Sequence, residues 1–155
     1  MTFSERTLRA AQGYFELGMT RDALRELDAL PPADQLQPEA LEMRILVLMK
    51  LGRWRKAVRA CESLCAVEPA SSIGYIQMGF CLHRLGRTRK AREVLVNGPQ
   101  SLQGEAIFHY NLACYECVLG NVETAKVYLE KSLAMDDKLR HFAREDPDLE
   151  PLYTA

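Results

Sequence analysis

The chain is predicted to be all-α: an α-solenoid of four helical hairpins with a 34-residue period, closed by a short C-terminal capping helix. Three observations predict it. Leu-Gly pairs stand at Leu17-Gly18, Leu51-Gly52, Leu85-Gly86 and Leu119-Gly120, each 34 residues after the last. An alanine follows five residues beyond each of those glycines, at Ala23, Ala57, Ala91 and Ala125. Prolines punctuate the periods at Pro31-Pro32, Pro69 and Pro99. Self-similarity at a fixed period of this length is the sequence signature of stacked repeats. With glycine at roughly 7% of ordinary usage, four glycines in register with four alanines are not a chance pattern.

Each element follows from local chemistry. The segment before a glycine, for example Ala40 to Leu51 or Ala106 to Leu119, carries apolar residues at three- and four-residue spacing and reads as a helix. Glycine then supplies the left-handed residue that ends a helix without a Cβ clash. A second helix follows, as at Arg55 to Val67 or Val122 to Met135, with its alanine where the paired helices approach most closely. The prolines and Asn97-Gly98-Pro99 stop the second helices. Hairpins of this length cannot bury their own apolar faces and must stack. One domain over residues 1–155 results, with units at about 4–37, 38–71, 72–105 and 106–137 and a cap at 138–155. A short helix from about Asp137 to Arg144 should place Leu139 and Phe142 against the fourth unit.

The pattern resembles the tetratricopeptide repeat (TPR) family over about residues 4–137. The family's small-residue position falls on Ala11, Gly79 and Ala113, its large apolar position on Tyr14, Leu48 and Leu82, and its closing proline on Pro69. The chain departs from the family at Arg44-Ile45, at Glu116 in the large apolar position, and at Asn97-Gly98-Pro99, which ends unit three early. The ending Asp146-Pro147-Asp148-Leu149-Glu150-Pro151-Leu152 is similar to the tails of some bacterial members.

Composition narrows the function classes. Of 155 residues, 48% are apolar and 26% charged, which is ordinary soluble usage and excludes fibrous or disordered chains. No apolar run approaches the ~20 residues of a membrane span, and the start lacks an apolar stretch of signal-peptide type. Five cysteines, an odd number lying inside helical patterns, point to reduced thiols in a cytoplasmic protein. Cys114 and Cys117 form a Cys-x-x-Cys pair, but they fall mid-helix, away from the helix N-terminus that would lower a thiol pKa. His83 could add a third zinc ligand, and no fourth is evident in the sequence. His109 and His141 have no partnered nucleophile, and no phosphate-binding loop is present. No enzyme activity, metal or cofactor is expected.

The resemblance implies instead a groove lined by the first helix of each unit. Its residues would be Leu8, Gln12 and Phe15 from unit one and Met43, Leu46 and Met49 from unit two. Unit three would add Ile73, Ile76, Gln77, Phe80 and His83, and unit four Tyr110, Asn111 and Cys114. Few of these are charged, so the expected partner is a protein or peptide with an apolar or amphipathic segment, held in adaptor or chaperone-like fashion. Self-association through the same face remains open. Arg9, Lys50 and Asn111 are too scattered for the carboxylate clamp that some family members use.

Net charge is only −1, but it is unevenly placed. From Arg44 to Arg92 there are eleven Lys or Arg against Glu62 and Glu68, a balance of +9, while the remainder carries −10. The repeat should bring Arg53, Arg55, Lys56 and Arg59 beside Arg87, Arg89, Lys90 and Arg92 as one basic edge. That edge reads either as a solvated rim or as a site for an anionic partner, with nucleic acid disfavoured because Trp54 should pack between paired helices.

Overall fold

The computed structural model describes residues 1–154 and is helical throughout, with no strand among the described residues. Four hairpins follow one another: α1 (Phe3–Glu16) with α2 (Thr20–Asp28), α4 (Pro38–Lys50) with α5 (Trp54–Val67), α6 (Ser72–Arg84) with α7 (Thr88–Val96), and α8 (Ala106–Val118) with α9 (Val122–Met135). A one-turn helix, α3 (Pro32–Gln35), joins the first two hairpins, and a 3-10 turn over Gln100–Gly104 joins the last two. The C-terminal segment forms α10 (Leu139–Glu145), a 3-10 turn over Pro147–Leu149, and α11 (Pro151–Thr154). Among the described residues no helix is long and apolar enough to cross a membrane.

The hairpin turn is the same backbone device four times. Gly18, Gly52, Gly86 and Gly120 are the positive-φ residues, at 77°, 69°, 77° and 88°. Each glycine N–H bonds back to a carbonyl of the preceding turn, as Gly52 to Met49 at 3.0 Å. The next residue's N–H reaches one position further, as Arg53 to Leu48 at 2.9 Å. This paired closure satisfies carbonyls the helix end leaves free. The residue after the glycine then becomes the N-cap of the second helix, and its carbonyl accepts the N–H of the repeated alanine, as Arg53 from Ala57 at 3.0 Å. The fixed glycine-to-alanine spacing is therefore the length of one turn plus one helical hydrogen bond.

All four alanines are fully buried. A larger side chain there must displace the paired helix. Ala57→Leu is expected to destabilise the fold by about 1–3 kcal/mol, measured by urea unfolding; an unchanged midpoint would show that the pair has slack. The helices stop where proline predicts: α2 ends before Pro31, α5 before Pro69 and α7 before Pro99. Three apolar clusters run along the array, the first around Ala11, Leu27 and Val47, the second around Ile45, Leu64 and Cys81, the third from Ile76 through α8 to Leu149.

The cap differs from the sequence expectation. The helix begins two residues later, at Leu139, and the segment turns twice more instead of ending. Phe142 does not bury and is 63% exposed, whereas Ala143 and Leu149 are fully buried. The physical reason is the Asp146-Pro147 break, which turns the chain so that Leu149, not Phe142, reaches α8. As a result α8 is buried from Phe108 to Cys117 without interruption, covered by α6, α9 and the cap segment together.

Two of the three family departures, Glu116 and Arg44, have side-chain partners. Glu116 is buried and accepts from Arg92 Nη1 at 3.1 Å and from Asn121 Nδ2 at 3.0 Å. Arg44 donates to Asp28 of α2 at 2.8 Å.

Candidate functional site

The helices α1, α4, α6 and α8 lie side by side and form one face, along which three hollows open. The first, about 470 Å³, is lined by Leu8, Gln12 and Met43 together with Met1, Glu5, Arg9 and Glu39. The central hollow, about 420 Å³, is lined by Met49, Ile73, Ile76, Gln77, Phe80, Tyr110 and Asn111, with Ile107 and Glu105. The third, about 410 Å³, shares Ile107 and Tyr110 and is walled by Leu139 and Phe142.

The central hollow is the most apolar surface of the face. Ile73, Phe80 and Ile107 are 41%, 37% and 38% exposed and line one hollow together, and it is such contiguity that sets an apolar surface apart from singly scattered exposed residues. Phe80 is held in place: its ring meets Trp54 with centroids 6.0 Å apart and a 57° tilt, and the Arg84 guanidinium caps the indole at 5.1 Å. Trp54 thus packs between hairpins two and three, with Phe80 and the Arg84 guanidinium against its ring.

Four expected groove residues stand elsewhere. Phe15 is partly buried against the first apolar cluster and lines none of the three hollows. Leu46 is 41% exposed on α4 but lines none of the three hollows. His83 and Cys114 lie under the chain's own C-terminal segment. Asp148 accepts from or pairs with His83 Nε2 at 2.7 Å, and Asp146 accepts from Tyr110 Oη at 2.8 Å and from Cys114 Sγ at 3.6 Å. Asp146 also accepts the Asp148 N–H at 3.0 Å, which holds the turn in shape. Sequence reasoning missed Asp146 and Asp148. The signal was present in the Asp-Pro-Asp-Leu run, but nothing local tells that a turn 30 residues downstream folds back onto α6 and α8.

Cys114, Asp146 and Asp148 bring one thiol and two carboxylates within 4.8 Å of one another, a donor set of metal-ligating kind. In this arrangement their polar atoms bond to each other, to Tyr110 and to His83, so the cluster serves as a latch between cap and array. Burial pushes the Cys114 thiol up, and the Asp146 and Asp148 charges push it further. Burial raises Cys117 and Tyr110 as well. The pair is thereby held away from the thiolate form that redox chemistry needs.

The other three cysteines sit between hairpins two and three, and all five are free thiols. A hydrogen bond with Cys81 is the main reason Cys61 is raised, and the same bond lowers Cys81. Burial, helped by Glu62, pushes half-buried Cys65 up to about 11 from 9.0. The folded state therefore holds this proton more tightly than the unfolded chain does, and the contribution to stability is lost as pH rises from about 9 to about 11. Alkylation of Cys65 by iodoacetamide in the native protein is expected to stay slow at pH 8 and to climb toward pH 11; full reaction at pH 8 under native conditions would contradict it.

The residues of the basic edge do not all stand free. Arg92 is committed to buried Glu116, and Lys90 lies 3.9 Å from Glu93 on its own helix. Arg87 and Arg89 are exposed. In hairpin two, Arg53, Arg55 and Lys56 line the turn hollow beside Trp54 and Leu85, and Arg53 and Lys56 also line, with Arg59, a cleft toward hairpin one.

No family model matches the sequence, and no curated protein does. Solved structures match over most of its length. MamA 41-end from Desulfovibrio magneticus RS-1 superposes with a TM-score of 0.81 at 18% identity, covering 94% of this chain and 82% of that one. A thermophilic TPR protein of Thermus thermophilus superposes with a TM-score of 0.76 at 23% identity, covering 97% and 81%. The 34-residue hairpins, their glycine closures and these superpositions together establish the fold as a tetratricopeptide-type helical solenoid.

Proposed function

We propose that this chain is a protein-interaction module that holds an apolar or amphipathic peptide segment along the face of α1, α4, α6 and α8. The central hollow carries the reading: Met49, Ile73, Phe80 and Ile107 converge from three hairpins on one apolar surface with few charges beside it. Such a site suits an inserted helix or strand with large apolar anchors, and methionine lets it adapt to more than one shape. The thiols held in their neutral forms speak for binding over catalysis.

Phe80→Glu and Met49→Glu are each expected to weaken capture of the partner by tenfold or more, at about 2 kcal/mol for an anchor contact, while the helical circular-dichroism signal stays unchanged. The partner would be named by co-purification and mass spectrometry, then titrated as a purified segment. Normal affinity in both variants removes the groove reading. The alternative occupant is an apolar face of a second copy of the chain, which would cover the same exposed Ile73, Phe80 and Ile107. Sedimentation of wild type and Phe80→Glu across a concentration series separates the two, since only self-association makes the monomer fraction depend on Phe80.

A further inference from the structure

On the far side of α4 from Met43, Leu46 and Met49, residues Arg44 and Leu48 look into a cleft of about 390 Å³ between α2, α3 and α5. The 3.6-residue helical period places these two sets on opposite faces of α4. Arg53, Lys56 and Arg59 line the cleft from the α5 side, and among the described residues Asp28 is the only carboxylate in it. Arg44 uses Nη1 on Asp28, while its Nη2 is closed off from solvent and has no hydrogen-bond partner among the described residues. A guanidinium nitrogen left so is costly, and it stands at a position where the TPR pattern has a small or apolar residue. Leu24 and Leu36 give the cleft an apolar wall, with Leu36 54% exposed.

We propose that this cleft docks an acidic peptide segment of a partner protein, with carboxylates on Arg53, Lys56 and Arg59 and a leucine-type side chain on Leu24 and Leu36. Arg44 answers Asp28, so Arg53, Lys56 and Arg59 face no further carboxylate in the cleft and supply the charge complementarity, and the leucine wall sets the second requirement. Nucleic acid fits poorly, since single strands need aromatic faces along a cationic track and Trp54 is engaged by Phe80 and Arg84. The cleft is independent of the groove, and its test is built to separate them.

A short fluorescent peptide with Asp and Glu around two leucines is titrated by anisotropy against the full chain, beside a counterpart carrying Asn and Gln instead. The acidic peptide is expected to bind, to weaken as salt is added, and to lose roughly tenfold or more in affinity with Arg53→Glu or Arg59→Glu, the scale of one close charge pair. Both arginines are exposed, so these variants keep the fold, which circular dichroism checks. Phe80→Glu should bind it as wild type does. Equal binding of the neutral counterpart, no loss in the arginine variants, loss in Phe80→Glu, or displacement of the peptide by an equimolar single-stranded oligonucleotide each overturns the proposal.

Discussion

Arg92→Ala is expected to cost about 2–3 kcal/mol of stability, whereas Arg89→Ala, from the same basic run, should fall within about 0.5 kcal/mol of wild type. The difference lies in what each side chain faces. Arg89 is exposed. Arg92 reaches Glu116 at 3.1 Å, and the Glu116 side chain is only 7% exposed. Deleting the arginine leaves a carboxylate in the interior with Asn121 as its one remaining side-chain donor. The lower end of the range applies because Arg92 itself is 31% exposed and water can reach part of the gap. Urea unfolding of both variants measures the effect. The double variant Arg92→Met with Glu116→Leu should recover most of the loss, because replacing a buried pair by apolar groups restores packing without a stranded charge. If Arg92→Ala is no worse than Arg89→Ala, the pair contributes nothing and Arg92 rejoins the solvated edge.

Leu149→Ala is expected to destabilise by about 3 kcal/mol, and to do so first in the cap. Leu149 is fully buried against the third cluster, and the turn that carries it is the main contact between cap and α8. Without that side chain the hydrogen bonds from His83, Tyr110 and Cys114 to Asp148 and Asp146 must hold the segment alone. Hydrogen exchange should therefore speed up from Leu139 to Thr154 before the hairpins respond, and Cys114 should become open to alkylation. Phe142→Ala, at a residue 63% exposed, should change neither. Uniform loss of protection along the whole chain would instead make the cap an inseparable part of one cooperative unit.

The two results bear on each other through α8. This helix is buried from Phe108 to Cys117, whereas the equivalent α4 keeps Leu46 exposed at 41%. An array that ends must hide the outer face of its last hairpin, and here the cap does so by bending over the groove side as well. The open face of α1, α4, α6 and α8 is consequently shortened: Tyr110 and Ile107 remain at its edge, and Cys114 and His83 are withdrawn from it.

Repetition made most of the fold readable. Glycine at 18, 52, 86 and 120 tells where each helix closes because only a residue without Cβ takes that backbone freely, and the alanine five residues on tells where helices touch. Of the groove, the residues at the middle of the array, Met49, Ile73, Phe80 and Tyr110, line the hollow that the repeat register predicts. Near the ends Leu8 and Gln12 still line the face, but Phe15 packs partly buried against the first cluster and Cys114 meets Asp146, because neighbours outside the repeat decide their surroundings.

From sequence alone came the number of hairpins, their period, their turn chemistry and the segregation of positive charge into the middle of the chain. These are local or periodic properties, encoded by backbone preference and spacing. Only the tertiary structure decided which charges are free and which are committed. Arg92 and Arg59 belong to one run of like charges, yet one is held by a carboxylate 24 residues away and the other faces an open cleft. Only the structure, likewise, brought the Asp-Pro-Asp-Leu turn onto α8. Partners of this kind are chosen by packing across long stretches of chain, where a shift of one helical turn would exchange them, and no local pattern carries that choice.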